Sequence, residues 1–198
     1  GMESGNSVCD VLSGKVSPSG KLTDTIALCY DDYPSAHNFG NRDENKYTED
    51  IFVGYRYFET FCPEKVLYEF GFGLSYTEFS QEIIKADFSD GKFTAEVKIK
   101  NIGKVSGREI VQLYVSAPFG KLPKPKKVLT AFKKTKLLAP DEEEIITLSC
   151  DEYSFASFDD DGSTGNINCY VTEGGNYDFY IGKSVKSCVK VFSFTQSE

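Results

Sequence analysis

Beyond Phe79 the apolar residues fall on alternate positions. Phe93, Ala95, Val97 and Ile99 share one face of a segment, and Val111, Leu113 and Val115 do the same after Asn101, Gly103 and Gly107. A period of two is the mark of a strand with one buried face. Residues 128–138, 144–150, 177–181 and 189–194 supply further strands, separated by Pro140 and Asp141, by the acidic run 159–162 and by Gly174 and Gly175. Around seven short strands punctuated by turn residues predict a mainly β fold, an antiparallel two-sheet sandwich.

The first third of the chain follows another pattern. Val8, Val11 and Leu12 recur at helical spacing behind Ser4 and Asn6 as candidate caps, and Gly14 with Pro18 and Gly20 ends the periodicity. This predicts a short amphipathic helix and a turn over residues 1–24. No partner helix exists elsewhere for its apolar face, which must dock on the sandwich, on another chain or on a further domain. Residues 23–47 are polar, with no sustained period, and read as a long surface excursion that runs along a neighbour. Residues 47–79 are dense in aromatics and interrupted by Gly54, Gly71 and Gly73, as close backbone approaches under a layer of rings would require. The expected division is therefore 1–24 helix and turn, 25–78 aromatic connector, and 79–198 sandwich.

The formal charge of −8 argues against a nucleic-acid partner, which needs a concentrated basic surface. One local exception, residues 121–136, holds seven lysines with Pro123 and Pro125, and reads as a solvated loop leading into an edge strand guarded by lysines. No window of about eighteen apolar residues is present, so a membrane span is not expected. Residues 1–8 lack the basic start and apolar run of a signal peptide. The compartment stays open, with a soluble cytoplasmic chain preferred to a secreted one. The six cysteines, at 9, 29, 62, 150, 169 and 188, form no C-x-x-C pair and the sole histidine is His37, so free thiols are expected rather than a zinc site.

Several ordered runs resemble one family. DVLSGKVSPSGKL at 10–22 is similar to the segment that closes the second, α/β domain of family-three glycoside hydrolases. YTEDIFVGYRYF at 47–58 and YEFGFGLSYT at 68–77 resemble the connector that follows it. Asn101 to Gly103, Gly107, VQLYV at 111–115, LLAP at 137–140, ASFD at 156–159 and GNYDFYIG at 175–182 are similar to signatures of the family's fibronectin-III-like C-terminal domain. Asp50 stands where glycine is usual, and Thr23 and Ile26 replace the common proline and phenylalanine. The resemblance implies a β-glucosidase-like parent that hydrolyses terminal β-linked sugars by a retaining mechanism, with no metal or organic cofactor. Such a mechanism needs two carboxyl groups ~5 to 5.5 Å apart. In the family these lie in the N-terminal barrel and in the α/β domain upstream of residue 1. No catalytic residue is therefore expected in this chain. Its partners would be the barrel and α/β domains, in cis or as a separate chain, with β-glucosides or oligosaccharides met through the parent.

Within the chain, Tyr47, Glu49, Tyr55 and Tyr57 are candidates for the rim of a substrate site, because tyrosine rings can stack on pyranose faces; interdomain packing is the competing reading. Glu49, Asp50, Glu59 and Glu69 flank the aromatic connector, where a carboxylate among rings could act as an acid. Capping or salt bridging with Arg42 or Arg56 is the simpler account. Asp159, Asp160 and Asp161 with Gly162 suggest calcium weakly and a solvated turn strongly. Two other readings stand beside the enzyme part: a free carbohydrate- or protein-binding module, and a stand-alone product of a split gene. Exposed apolar surface on Val8, Val11, Leu12 and the connector predicts self-association of the isolated chain.

Overall fold

The structure, a computed structural model, describes residues 2–197. In chain order it runs α1 (Ser4–Leu12), β1 (Ile26–Ala27), a 3-10 turn (Tyr30–Asp32), α2 (Tyr55–Phe61), a second 3-10 turn (Pro63–Lys65) and β2 (Val66–Tyr68). There follow β3 (Phe79–Ser89), β4 (Lys92–Asn101), β5 (Ile110–Ser116), β6 (Val128–Lys134) and β7 (Glu143–Asp151). After a third 3-10 turn (Glu152–Phe155) come β8 (Ser157–Asp159), β9 (Cys169–Val171), β10 (Gly175–Gly182) and β11 (Val189–Gln196).

Seven strands make the expected sandwich: a three-stranded sheet in the order β3-β4-β7 faces a four-stranded sheet in the order β11-β10-β5-β6, with antiparallel neighbours throughout. β1 with β2, and β8 with β9, form two short accessory ribbons. Phe93, Ala95, Val97 and Ile99 on β4 meet Val111, Leu113 and Val115 on β5 in one fully buried core, joined by Tyr177, Phe179 and Ile181 of β10. The Phe93 and Phe179 rings stack at 4.0 Å, and Phe88 stacks on Phe194 at 4.0 Å. Full burial of such a side chain contributes about 1.5–3 kcal/mol.

β3 escapes the periodicity because its ladder to β4 carries a bulge between Ile83 and Lys85. Phe79, Gln81 and Ile83 turn inward before it, and Ala86 and Phe88 after it, so the inward set changes from odd to even positions. β6 stops at Lys134, short of the expected end at 138; Leu138 pairs separately with Gly107. It lies at a sheet edge and bears Lys133 and Lys134, as the lysine pattern suggested.

Two polar expectations are corrected. Lys124, in the stretch read as a solvated loop, is 4% exposed and pairs with Glu173, whose carboxylate also accepts the backbone N–H of Lys121 at 2.6 Å and of Leu122 at 3.3 Å. Asp159 is fully buried rather than solvated. Its carboxylate accepts from the N–H groups of Gly162, Ser163 and Thr164 and from the Thr164 hydroxyl, closing the loop between β8 and β9. The cap of α1 also differs. Glu3 holds the N-cap position with no side-chain cap, while Ser4 lies inside the helix with Asn6, whose amide donates back to Glu3 at 2.6 Å.

Candidate functional site

The alternation that fills the core would send Gln112 and Tyr114 of β5 outward to water. Both are buried, because the connector lies over that face. α2 anchors it. Tyr55 stacks on Phe70 at 4.4 Å, meets Tyr114 edge-on at 6.2 Å, and its hydroxyl accepts the backbone N–H of Leu129 on β6 at 2.8 Å. Beneath, the Tyr114 hydroxyl donates to Gln112 Oε1 at 2.5 Å, and Gln112 Nε2 donates to the Lys183 carbonyl at 2.7 Å. Desolvation pushes the Tyr114 hydroxyl far above the ordinary tyrosine value of 10, so it remains a neutral donor. At Gly71, with φ 82°, an added Cβ would lie 2.4 Å from Gln112 Oε1; at Gly73 it would lie 2.5 Å from the Gly20 carbonyl. These close approaches are to an amide and a carbonyl, not to the rings expected.

The same junction holds the turn after α1. Leu22 N–H donates to the Phe72 carbonyl at 2.7 Å, and Gly71 N–H returns a bond to Leu22 at 2.8 Å. Lys21 reaches the carboxylate of Glu109 at 2.8 Å, with Lys183 at 3.9 Å from its other oxygen. Glu109 is 6% exposed, so one buried carboxylate between two lysines ties the early segment to the sandwich. Tyr76 adds a hydroxyl bond to the Val11 carbonyl at 2.9 Å.

The apolar side chains of α1 take no part in this anchoring. α1 has no buried residue, and Val8 and Leu12 are 55% and 77% exposed. Leu28, Phe39, Val53, Phe61, Leu67 and Leu74 are exposed as well.

The rim candidates lie in different settings. Tyr47 is 89% exposed. Glu49 is half-buried, and its carbonyl accepts the Phe52 N–H at 2.8 Å. Tyr55 is committed to the anchor described above. Tyr57 packs edge-on against Phe58 at 5.4 Å and lies near Cys62; burial there raises both the phenol and the thiol above their usual values. The four are thus not gathered into one pocket wall. Among the carboxylates, Glu69 accepts from the Ser184 hydroxyl at 2.9 Å and Glu59 is buried. The expected salt bridges to Arg42 or Arg56 do not form among the described residues, where every cation in an ion pair is a lysine. Asp50 has φ 50°, a left-handed backbone that glycine adopts freely and aspartate tolerates, which accounts for its place where glycine is usual.

Desolvation alone would raise the carboxyl of Asp159, but its hydrogen bonds to Thr164, Gly162 and Ser163 outweigh it and hold the group below the usual range. Glu173 behaves alike, with desolvation outweighed by Lys124 and the two backbone donors. Among the described residues all six cysteines are free, and no group of three or more histidine, cysteine or carboxylate side chains is placed to hold a metal ion. No helix among them is long and apolar enough to cross a membrane.

Comparison with known proteins agrees with the architecture. Residues 1–76 match the glycosyl hydrolase family 3 C-terminal domain, and residues 109–185 match the fibronectin type III-like domain. β3, β4 and β11 lie outside both matches, yet they complete the sandwich. A β-glucosidase of Ruminococcus albus is 50% identical over 98% of this chain and 20% of its own length. β-Glucosidase A of Butyrivibrio fibrisolvens is 45% identical over 94% of the chain and 24% of its own length. The crystal structure of a β-glucosidase from Paenibacillus barengoltzii superposes with a TM-score of 0.92 at 49% identity, covering 95% of this chain and 21% of that one. The chain spans between a fifth and a quarter of the length of these relatives, and it belongs to glycoside hydrolase family 3, as the C-terminal portion that ends in a fibronectin type III-like domain.

Proposed function

We propose that this chain is the non-catalytic C-terminal module of a β-glucosidase-like hydrolase, whose barrel and α/β domains carry the two carboxylates of a retaining mechanism. The observation that carries this reading is α1, which is held to the connector through Tyr76 and, through Lys21 of the following turn, to the sandwich, while Val8 and Leu12 remain uncovered. A free binding module would have no use for a helix so exposed. The boundaries 1–24, 25–78 and 79–198 then separate the end of the α/β domain, the connector and the sandwich. The module's work is mechanical: it fixes the end of the α/β domain against a rigid body. Substrates of the parent are terminal β-linked glucosides or oligosaccharides.

Hydrolysis of nitrophenyl β-glycosides tests this. The 198-residue chain is expected to be inactive beside an active longer protein that includes the upstream domains. Turnover by the chain alone, abolished by Glu49→Gln or Asp50→Asn, would overturn it. Tyr47 and Glu49 belong to the rim of the parent's substrate site in this reading, with Tyr55 and Tyr57 holding the loop behind them. Tyr47→Ala in the longer protein should raise KM for oligosaccharides more than for aryl glucosides. The uncovered surface of α1 should also make the isolated chain self-associate, which light scattering would reveal as a mass above that of the monomer.

A further inference from the structure

A groove of about 680 Å³ lies away from the α1 junction, where the loop before α2, the turn preceding β6 and the β8–β9 ribbon converge. Its aromatic wall is unusual for a surface. Tyr153 and Tyr170 are 66% and 51% exposed, and Phe158, directly opposite Tyr170 in the ribbon, is 47% exposed. The Tyr153 and Tyr170 rings lie 4.6 Å apart, and Phe158 and Tyr170 lie 5.1 Å apart. The rings are tilted against one another, by 55° between Tyr153 and Tyr170 and by 64° between Phe158 and Tyr170, and so form an angled aromatic wall with exposed faces. The loop between β8 and β9 is closed from inside by Asp159, so the ribbon that bears two of these rings is braced.

Arg56 and Asp160 line the same groove. Neither the guanidinium nor the carboxylate has an ion pair or hydrogen bond among the described residues, although Arg56 is half-buried. A ligand that suits flat tyrosine faces and also satisfies a guanidinium and a carboxylate must present apolar C–H surface and a rim of hydroxyls that both donate and accept. Pyranose sugars have that chemistry, and the volume falls in the range of ordinary small-molecule sites, roughly 300–1,000 Å³.

We propose that this groove is a saccharide-binding site of the module, in which the Tyr170 ring stacks on a pyranose, the inclined Tyr153 ring borders it, and Arg56 and Asp160 hydrogen-bond its hydroxyls. The site does not involve the α1 surface, and it meets the loop after Tyr47 only at Asp50, Ile51 and Arg56, so it stands whether or not Tyr47 and Glu49 border a substrate site. It would hold an oligosaccharide near the protein without cleaving it.

Titration of the isotopically labelled 198-residue chain with cellotetraose, followed by amide chemical shifts, tests the proposal. Changes should be confined to residues 50–56, 123–128 and 153–170, with a dissociation constant on the order of 1 mM. Tyr170→Ala should weaken binding by at least about fivefold, the worth of a stacked ring. Arg56→Gln, which leaves the ribbon untouched, should weaken it about tenfold through loss of a charged hydrogen bond. An absence of shifts at concentrations of about 20 mM, ten or more times the expected constant, would overturn the proposal. So would shifts elsewhere on the molecule, or unaltered binding by both variants. Tighter saturation of the same resonances by a proline-rich peptide would assign the groove to a protein segment instead.

Discussion

The sandwich and the segment before it bury themselves by different means. In the sandwich, two sheets supply complementary apolar faces, and Phe93, Val97, Val111, Leu113 and Phe179 are sealed without a polar contact among their side chains. In the first 78 residues almost nothing of α1 is sealed; Tyr55 and Phe70 of the connector pack on Tyr114, directed polar contacts add Tyr55 to Leu129 and Lys21 to Glu109, and Tyr76 ties α1 to the connector. Dispersed apolar packing makes the sandwich a body that can be stable alone. Directed latches instead hold a segment in one orientation, which is what a docking element requires when its apolar side awaits another surface.

The contrast can be broken most severely in the core. Phe93→Ala removes one ring of the stack on Phe179 and should cost about 3–5 kcal/mol in urea unfolding. A loss below about 1 kcal/mol would mean the core is looser than its burial implies. The latch comes next. Glu109→Gln leaves Lys21 and Lys183 without their buried counter-charge, and should destabilise the chain by up to about 3 kcal/mol, as broken buried ion pairs do. Amide exchange should then accelerate at residues 17–22 and 71–76 while the strands stay protected.

A third expectation concerns acid. Because the folded-state pKa of Glu173 lies below the ordinary value of 4.5, its contribution is present above that value and is lost as pH falls through the folded pKa. Glu173→Gln should therefore be less stable than the unaltered chain near about pH 6, with the difference shrinking toward about pH 3. A constant difference across that range would rule out the Lys124 pair as its source. The smallest effect belongs to α1: Leu12→Ala should change stability by less than about 0.5 kcal/mol in this chain, since the residue is 77% exposed. In a longer protein that covers the helix the same substitution should cost more, and equal costs in both would argue that α1 docks on nothing.

The sandwich was legible in the sequence because one-sided burial imprints a period of two, plainly on β4 and β5. β3 was hidden because its bulge at Ile83 and Lys85 shifts that period by one in mid-strand. α2 was obscured for another reason: in YRYFETF the rings serve packing on several sides, so no single helical face stands out. The polar anchors were not legible at all. Tyr55 and Leu129 lie 74 residues apart, Lys124 and Glu173 49 apart, and nothing local marks either member as buried. Among the carboxylates that flank the connector, Asp50 alone carried a local signal, the left-handed backbone behind a usual glycine. The groove near Tyr153 and Tyr170 draws on three separated segments, and composition disperses such a site beyond recognition.

The tyrosine sealed between connector and sandwich has a spectroscopic consequence. The chain has twelve tyrosines and no tryptophan, so its near-ultraviolet absorbance in alkali is a record of phenol ionisation. Tyr177, pushed up to about 12 by burial, and Tyr114, raised still further, are silent while the fold persists. Above the ordinary tyrosine value of 10 the unfolded chain releases protons that the folded one retains, so rising pH favours opening. The late increment of tyrosinate absorbance then reports opening of the fold at Tyr114 beneath the connector and at Tyr177 in the sandwich core, with no added label.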